Sequence, residues 1–339
     1  MFVVQSPEVA VLLCFVTMLC WGSWANTQKL ASKEWRFQLF YWDYSIGVLL
    51  LALVFAFTLG SMGSEGRTFL EDLGQASAAA IGWALLGGAV FNLANILLVA
   101  AIDIAGLAVA FPIGIGIALV EGVAVNYIND PAQVNAVLLA LGVAGIVAAI
   151  VINALAYRRL PAQGERTAGK GIAVSIIAGV LMGLFYLLVV RSMPVEQDGV
   201  LVDAGRLYPY AAVAVFSAGL LASSFLWNGI VMRRPFVGPP VPFADYFRKG
   251  NARLHLIGVL GGMIWSVGMA LNILASKCAN PSVSYGLGQG ATLIAACWGV
   301  FVWKEFKAAP RGTGKLLAAM FVSYLVGLAL IIWARLGAA

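Results

Sequence analysis

Apolar residues gather into ten runs along this chain, at 9–30, 40–59, 78–102, 105–128, 134–157, 171–190, 208–232, 254–277, 283–303 and 314–333. Each run is roughly 20 residues, which as a helix rising ~1.5 Å per residue crosses a hydrocarbon core ~30 Å thick. Barrel strands alternate apolar and polar positions over about ten residues, whereas these runs are continuously apolar. The pattern therefore predicts an all-α integral membrane protein with ten transmembrane helices, in which every backbone polar group is satisfied within its own helix.

A repeat runs through the pattern. Adding 174 to the residue number pairs Gly87, Gly88, Leu97, Ala101, Val109, Gly114, Gly116 and Leu119 with Gly261, Gly262, Leu271, Ala275, Val283, Gly288, Gly290 and Leu293, without a gap. The third and fourth runs thus match the eighth and ninth. Five helices separate the copies, and an odd number of spans reverses orientation. The expected organisation is two inverted five-helix repeats, residues 1–157 and 171–339, joined by a cytoplasmic loop at 158–170 that holds Pro161 and Gly164. Many secondary transporters are built this way, with a midplane site between the halves.

Composition agrees with this class. Of the residues, 62% are hydrophobic and 11% charged, against about 25% charged in soluble domains, so a water-facing surface cannot be covered. Of the 21 Lys and Arg, 16 lie at the odd-numbered loops. Basic residues favour the cytoplasmic side, which places the odd loops inside and both termini outside a cell (inner) membrane. These charges flank spans and form no continuous basic surface, which excludes a nucleic-acid partner. No basic segment precedes the first run and no small-residue cleavage site follows it, so a retained helix is expected. Cys14, Cys20, Cys278 and Cys297 sit in apolar runs without metal-ligand spacing, as buried thiols do. Neither a metal nor a cofactor is expected.

Polar groups at membrane depth are costly and point to pathways or interhelical bonds. Asn92 and Asn95, three apart, share a face of the third helix, where cavity lining and helix packing compete as explanations. The fourth helix carries Pro112 and Gly114 in Phe-Pro-Ile-Gly-Ile-Gly. Proline removes a backbone donor and crowds the preceding turn, so a kink or break is expected there. Its counterpart in the ninth run contains Tyr285 and Gln289, an amide suited to hydroxyl or amide ligands. Trp21 and Asn26 in the first run, with Trp265 in the eighth, offer aromatic faces for stacking and a polar group beside them. Glu121 is the carboxylate nearest the middle of a span and is the first candidate for carrying a coupling proton; Asp43, among aromatics at the start of the second, is the next.

Residues 164–170 and 309–315 resemble phosphate-binding loops. In the first, Gly171 replaces the Ser or Thr that would hold magnesium, and no strand precedes either segment, so both are taken as basic flanks. His255 is the single histidine, which leaves a His-based triad or multi-histidine metal site unsupported.

Several stretches carry a family resemblance: Tyr41-Trp-Asp-Tyr-Ser45 leading to Phe55-Ala-Phe-Thr-Leu-Gly60, Gly87-Gly88, Asn126-Tyr127 with Asp130, Pro242-Phe-Ala-Asp-Tyr-Phe247 with Gly261-Gly262, and Trp298-Gly299 before Lys304-Glu305. The chain resembles the ureide permease family of the drug/metabolite transporter superfamily over nearly its whole length. Its fourth and ninth helices are also similar to those of rhamnose and glucose/ribose porters, through Gly114-Ile-Gly-Ile-Ala118 and the same Lys304-Glu305. The resemblance implies a ten-helix, usually proton-coupled importer of ureides, nucleobases or sugars. Plant members have a longer central loop with a complete phosphate-loop motif. Glu121 stands where these relatives are expected to carry an apolar residue.

The expected function is secondary active import of a small neutral polar solute, a sugar, ureide or nucleobase, with a proton as partner. A metabolite or multidrug exporter of the same superfamily is the rival within transport, and would be expected to have an apolar, adaptable pocket. A membrane-embedded enzyme would need a catalytic constellation that the sequence lacks. The topology has a direct check: single cysteines at residue 5 and in the loop 233–253, probed with a membrane-impermeant thiol reagent on intact cells, should react at residue 5 only. Labelling of the 233–253 loop from outside would invert the assignment.

Overall fold

The computed structural model describes residues 1–160, 168–197 and 200–337. Ten segments are long and apolar enough to cross a membrane, each within a few residues of its run. The first is split into α1 (Pro7–Ser23) and α2 (Ala25–Ala31). α3 (Phe37–Phe57) is the second; a short α4 (Phe69–Gln75) precedes α5 (Ala78–Ala105), the third. α6 (Leu107–Asn129), α7 (Ala136–Tyr157) and α8 (Ala168–Arg191) are the fourth to sixth. A small antiparallel ribbon, β1 (Val195–Gln197) with β2 (Val200–Val202), leads to α9 (Pro209–Arg233), the seventh. Short α10 (Ala244–Arg248) precedes α11 (Ala252–Ala279), the eighth. The ninth comprises α12 (Pro281–Gly288), α13 (Ala291–Cys297) and a π-helical turn, Trp298–Val302; α14 (Thr313–Leu336) is the tenth. Residues 161–167, with Pro161, Gly164 and most of the first phosphate-loop lookalike, lie outside the described residues.

The expected break at Pro112 is not where the chain opens. α6 runs through Pro112 without interruption. Proline six residues into a helix loses one internal bond near an end, which neighbouring turns and packing absorb. The interruption falls instead in the counterpart span, between Gly288 and Ala291, where Gly290 donates to the Leu287 carbonyl in a tighter turn. α5 and α6 are separated at Gly106, with φ 80° and ψ 158°, and α11 and α12 at Asn280, with φ 73° and ψ 142°. These two residues are 174 apart. A glycine adopts positive φ freely; Asn280 is held there by its own side chain, which accepts from the Ser282 amide.

The same spacing governs the centre of the bundle. α5 crosses α9 where a methyl group at Gly88 would overlap the Phe216 carbonyl, and one at Gly219 would overlap the Leu85 carbonyl. α11 crosses α3 where a methyl at Gly262 would overlap the Tyr44 carbonyl, and one at Gly47 the Val259 carbonyl. Gly88 and Gly262, and Leu85 and Val259, are 174 apart; Tyr44 and Phe216, and Gly47 and Gly219, are 172 apart. Side-chain bonds repeat the relation: Asn92 donates to the Leu220 carbonyl at 3.1 Å, and Ser266 to the Val48 carbonyl at 3.0 Å. Each half of the chain thus lays one helix against a helix of the other. Outside these four, α5 and α6 pack on α8, α11 and α13 pack on α1, and α7 packs on α14.

The even-numbered loops close one end of the bundle. Arg67 bridges Asp72 and Asp203, at 2.9 and 3.0 Å, and Gln75 bonds both the Arg206 carbonyl and the Gly205 amide. Asp72 is nearly buried; burial pushes its carboxyl up, while the Tyr208 amide and Arg67 oppose that shift. The crossing glycines supply a stability test. Gly262→Leu drives a side chain into the α3 backbone and should cost about 3 kcal/mol or more, lowering the melting temperature in detergent. Gly229→Leu, with nothing within 4 Å of its new Cβ, should leave it unchanged.

Candidate functional site

A cavity of about 300 Å³ lies beside the helix crossings, among the first, third, fourth, sixth, eighth and ninth spans. Its aromatic walls come from Trp21, Trp24, Phe91, Phe111, Phe185 and Trp265, and its polar groups from Gln28, Asn95, Gln289 and Thr292. The indoles of Trp21 and Trp265 are nearly parallel, 13° apart with centroids 5.8 Å from each other, and Trp21 Nε1 donates to the Trp265 carbonyl. Gly268 and Gly288 make room for Trp21, since a methyl at either would press on its ring. Asn95 Nδ2 donates to the buried Tyr41 hydroxyl at 3.3 Å. Gln289 sits at the break between α12 and α13, where its carbonyl also accepts from Thr292 Oγ1. An apolar pocket with a few convergent polar groups is the usual form of a small-molecule site.

Of the residues singled out from sequence, Trp21, Asn95, Trp265 and Gln289 meet at this cavity. Asn26 lines a smaller adjoining cavity of about 170 Å³. Asn92 lines neither: it is fully buried and ties α5 to α9 through Leu220, Ser223 and Ser224. Pro112 and Gly114 are also outside the walls, which take the neighbouring Phe111 and Ile115 instead. Tyr285 is fully buried, donating to the Ala118 and Met182 carbonyls and so joining α12 to α6 and α8. Gln28, Phe91 and Phe185 were not singled out. The Asn-Thr-Gln run after Trp24 carried a signal for Gln28; its register depends on the interruption between α1 and α2.

The two candidate carboxylates occupy different settings. Glu121 lines neither cavity; it is half-exposed, lies against Gly183 of α8, and among the described residues forms no hydrogen bond or ion pair. Asp43 is 2% exposed and centres a network. Tyr246 of α10 donates to its Oδ1, Trp35 Nε1 to its Oδ2 at 3.3 Å, and His255 Nδ1 lies 3.0 Å from Oδ1. Gly258 lets α11 approach the Asp43 side chain. Burial and the adjoining carboxylate push the Tyr246 phenol above its ordinary range, so it remains a donor. His255 and Tyr246 lie more than 200 positions from Asp43, beyond any local spacing rule.

These placements separate binding from packing. Gln289→Leu should weaken solute binding about tenfold with an unchanged melting temperature, since the ligand would lose a polar partner worth about 1 to 3 kcal/mol. Asn92→Leu should instead lower the melting temperature and leave affinity within about twofold, because its partners belong to α9. Isothermal titration together with thermal unfolding of both variants distinguishes the two roles.

Comparison with known proteins agrees with this architecture. The chain is 23% identical to Ureide permease 2 of Arabidopsis thaliana, over 98% of both chains, and 22% identical to Ureide permease 1 of the same plant, again over 98% of each. Probable ureide permease A3 of Vigna unguiculata is 30% identical over 44% of this chain and 41% of its own. A crystal structure with 15% sequence identity superposes with a TM-score of 0.60, covering 97% of this chain and 98% of that one, and so shares the fold. The sequence profile described as Ureide permease matches residues 40–167 and 163–334. With nearly the whole chain covered, this multi-pass membrane protein belongs to the ureide permease family.

Proposed function

We propose that this protein is a secondary active importer of a neutral ureide-type solute, coupled to a proton. The observation that carries the reading is the cavity itself: paired indole faces beside three amides, Gln28, Asn95 and Gln289, enclosed by helices from both halves of the chain. A flat ring with N–H and carbonyl groups is matched by aromatic faces and by amides that both donate and accept. The relatives' names supply the solute class. The glycine, Asn92/Ser266 and Gly106/Asn280 correspondences support two inverted repeats, and hence alternating access by rocking of one half against the other. The reading keeps the cell (inner) membrane, with the odd loops cytoplasmic. Largely apolar walls favour one rival, export of a flat, less polar metabolite, which a vesicle assay with an imposed gradient distinguishes.

Proton coupling is better served by Asp43 than by Glu121. Asp43 is buried, whereas its partner His255 is partly exposed and provides a path for protons. Trp35 and Tyr246 complete the shell, and the Glu34–Arg253 pair lies among exposed residues nearby in sequence. Neutralising Asp43 weakens its bonds to α10 and α11, and α3 carries that change toward the cavity through Tyr41, which Asn95 touches.

The test is uptake by proteoliposomes of labelled allantoin, uracil, ribose, glucose and rhamnose, with and without a pH gradient. Allantoin should accumulate with the gradient. Asp43→Asn should abolish accumulation and keep solute exchange, while Glu121→Gln keeps both. Accumulation at the wild-type level in Asp43→Asn would remove the coupling role from Asp43.

A further inference from the structure

The smaller cavity adjoins the central one through Gly22, Ala25, Phe111, Thr292 and Ala295, which line both. It extends toward the odd-loop end, where Lys29, Tyr157 and Glu305 stand at its wall. Its construction is locally unusual in three ways. The π-helical turn Trp298–Val302 directs Trp298 and Trp303 to it, and Lys304 follows with φ 52°, a left-handed conformation uncommon for a side-chain-bearing residue. Gly299 leaves a notch into which the Glu305 carboxylate and the Tyr157 hydroxyl fit, a methyl there lying 3.0 Å from each. Glu305 accepts from Tyr157 and from Lys29, whose ammonium also lies 4.4 Å from the centre of the Trp303 ring. Departures of this kind cluster where a protein positions functional groups.

The fourth observation points to a ligand. Among the described residues, nine buried polar side chains have an atom without a hydrogen-bond partner, and Asn153 is the one of them that lines either of these two cavities. It is 8% exposed, and its Oδ1 is unpartnered. The other polar groups of this wall are engaged: Asn26 bonds the Ser23 carbonyl and Trp303, and Trp298 bonds Ser23. A buried unpaired amide oxygen is costly unless something donates to it part of the time.

We infer that the smaller cavity is a second binding station for the transported solute, where a neutral molecule bearing N–H or O–H donors pairs with Asn153. The Lys29–Glu305–Tyr157 clasp joins α2, α7 and the end of the ninth span across its mouth. Lys29 and Glu305 balance in charge, which fits a neutral guest better than an anion. The exposed Lys29–Glu305 pair alone contributes little in water; with the Tyr157 bond and the ring beneath Lys29, it forms a latch that opens without unfolding a helix. The solute class rests on the function proposed above, whereas the latch does not.

The experiment combines two measurements on reconstituted vesicles. Ala295→Cys lines both cavities, and its reaction with a membrane-impermeant maleimide presented at the odd-loop face is followed by residue-resolved mass spectrometry. Adding Glu305→Gln with Tyr157→Phe should raise the labelling rate about fivefold, by shifting the population of open clasp. Labelling at the unaltered rate would overturn the latch. Asn153→Leu should slow allantoin exchange about tenfold while changing the affinity of the central cavity less than about twofold. Where that variant fails to fold, Asn153→Ala is read by the same criteria. Exchange at the wild-type rate, or affinity lost in step with exchange, would overturn the second station. Failure of the unaltered protein to bind allantoin would overturn the ureide reading alone, and the labelling would still decide the latch.

Discussion

Four helices of this bundle cross with their backbones in contact, and the rest of the structure is arranged around those crossings. In a bilayer, helix association gains little from the hydrophobic effect, because lipid is as apolar as leucine; packing and interhelical hydrogen bonds must hold the bundle. Gly47, Gly88, Gly219 and Gly262 permit contacts that any side chain would block, with Asn92 and Ser266 adding a bond at each crossing. Because each crossing joins opposite halves of the chain, neither half makes these contacts alone. The remaining spans attach to this core, and the cavity occupies the space left beside it.

A repeated scaffold delivers equivalent positions to the cavity with different chemistry. Phe91 and Trp265 are 174 apart, both line the wall, and their rings lie 4.4 Å apart. Ile115 and Gln289, also 174 apart, both reach it, one apolar and one an amide. Asp43 corresponds by the 172 spacing to Val215, so the carboxylate network is built into one half only. Shared positions set the shape of the cavity, and the differences between copies set where its polar groups lie.

The ten spans and the matched glycines were legible because hydropathy and exact spacing are properties of a linear string. Which way a polar residue faces is not. Asn92 and Asn95 share a helix face by spacing, yet three residues are 300° of rotation, enough for one to meet α9 and the other the cavity. Glu121 drew attention by its depth, but its position against Gly183 depends on where α6 meets α8. Asp43 ranks behind Glu121 in the sequence because its partners His255 and Tyr246 come from distant segments. The proline rule pointed to the right pair of spans and to the wrong member: Pro112 lies near a helix end, where one lost bond is tolerated, whereas the glycines at 288 and 290 open the ninth span.

The two ends of the bundle are closed by different physical means, and that difference bears on the transport cycle. At the even-loop end, Arg67 is held by Asp72, Asp203 and backbone carbonyls, while the buried Asp72 also accepts from the Tyr208 amide. Parting these loops leaves charges and carbonyls to be rehydrated together, and bonds to a buried charged group contribute more than those of an exposed pair. At the odd-loop end, Lys29, Glu305 and Tyr157 reach across a cavity, while the buried Asp43 is held separately by Trp35, Tyr246 and His255. Opening beside the smaller cavity therefore parts side chains around a space that already exists. Opening at the even loops, by contrast, requires the Arg67 network to separate as a unit.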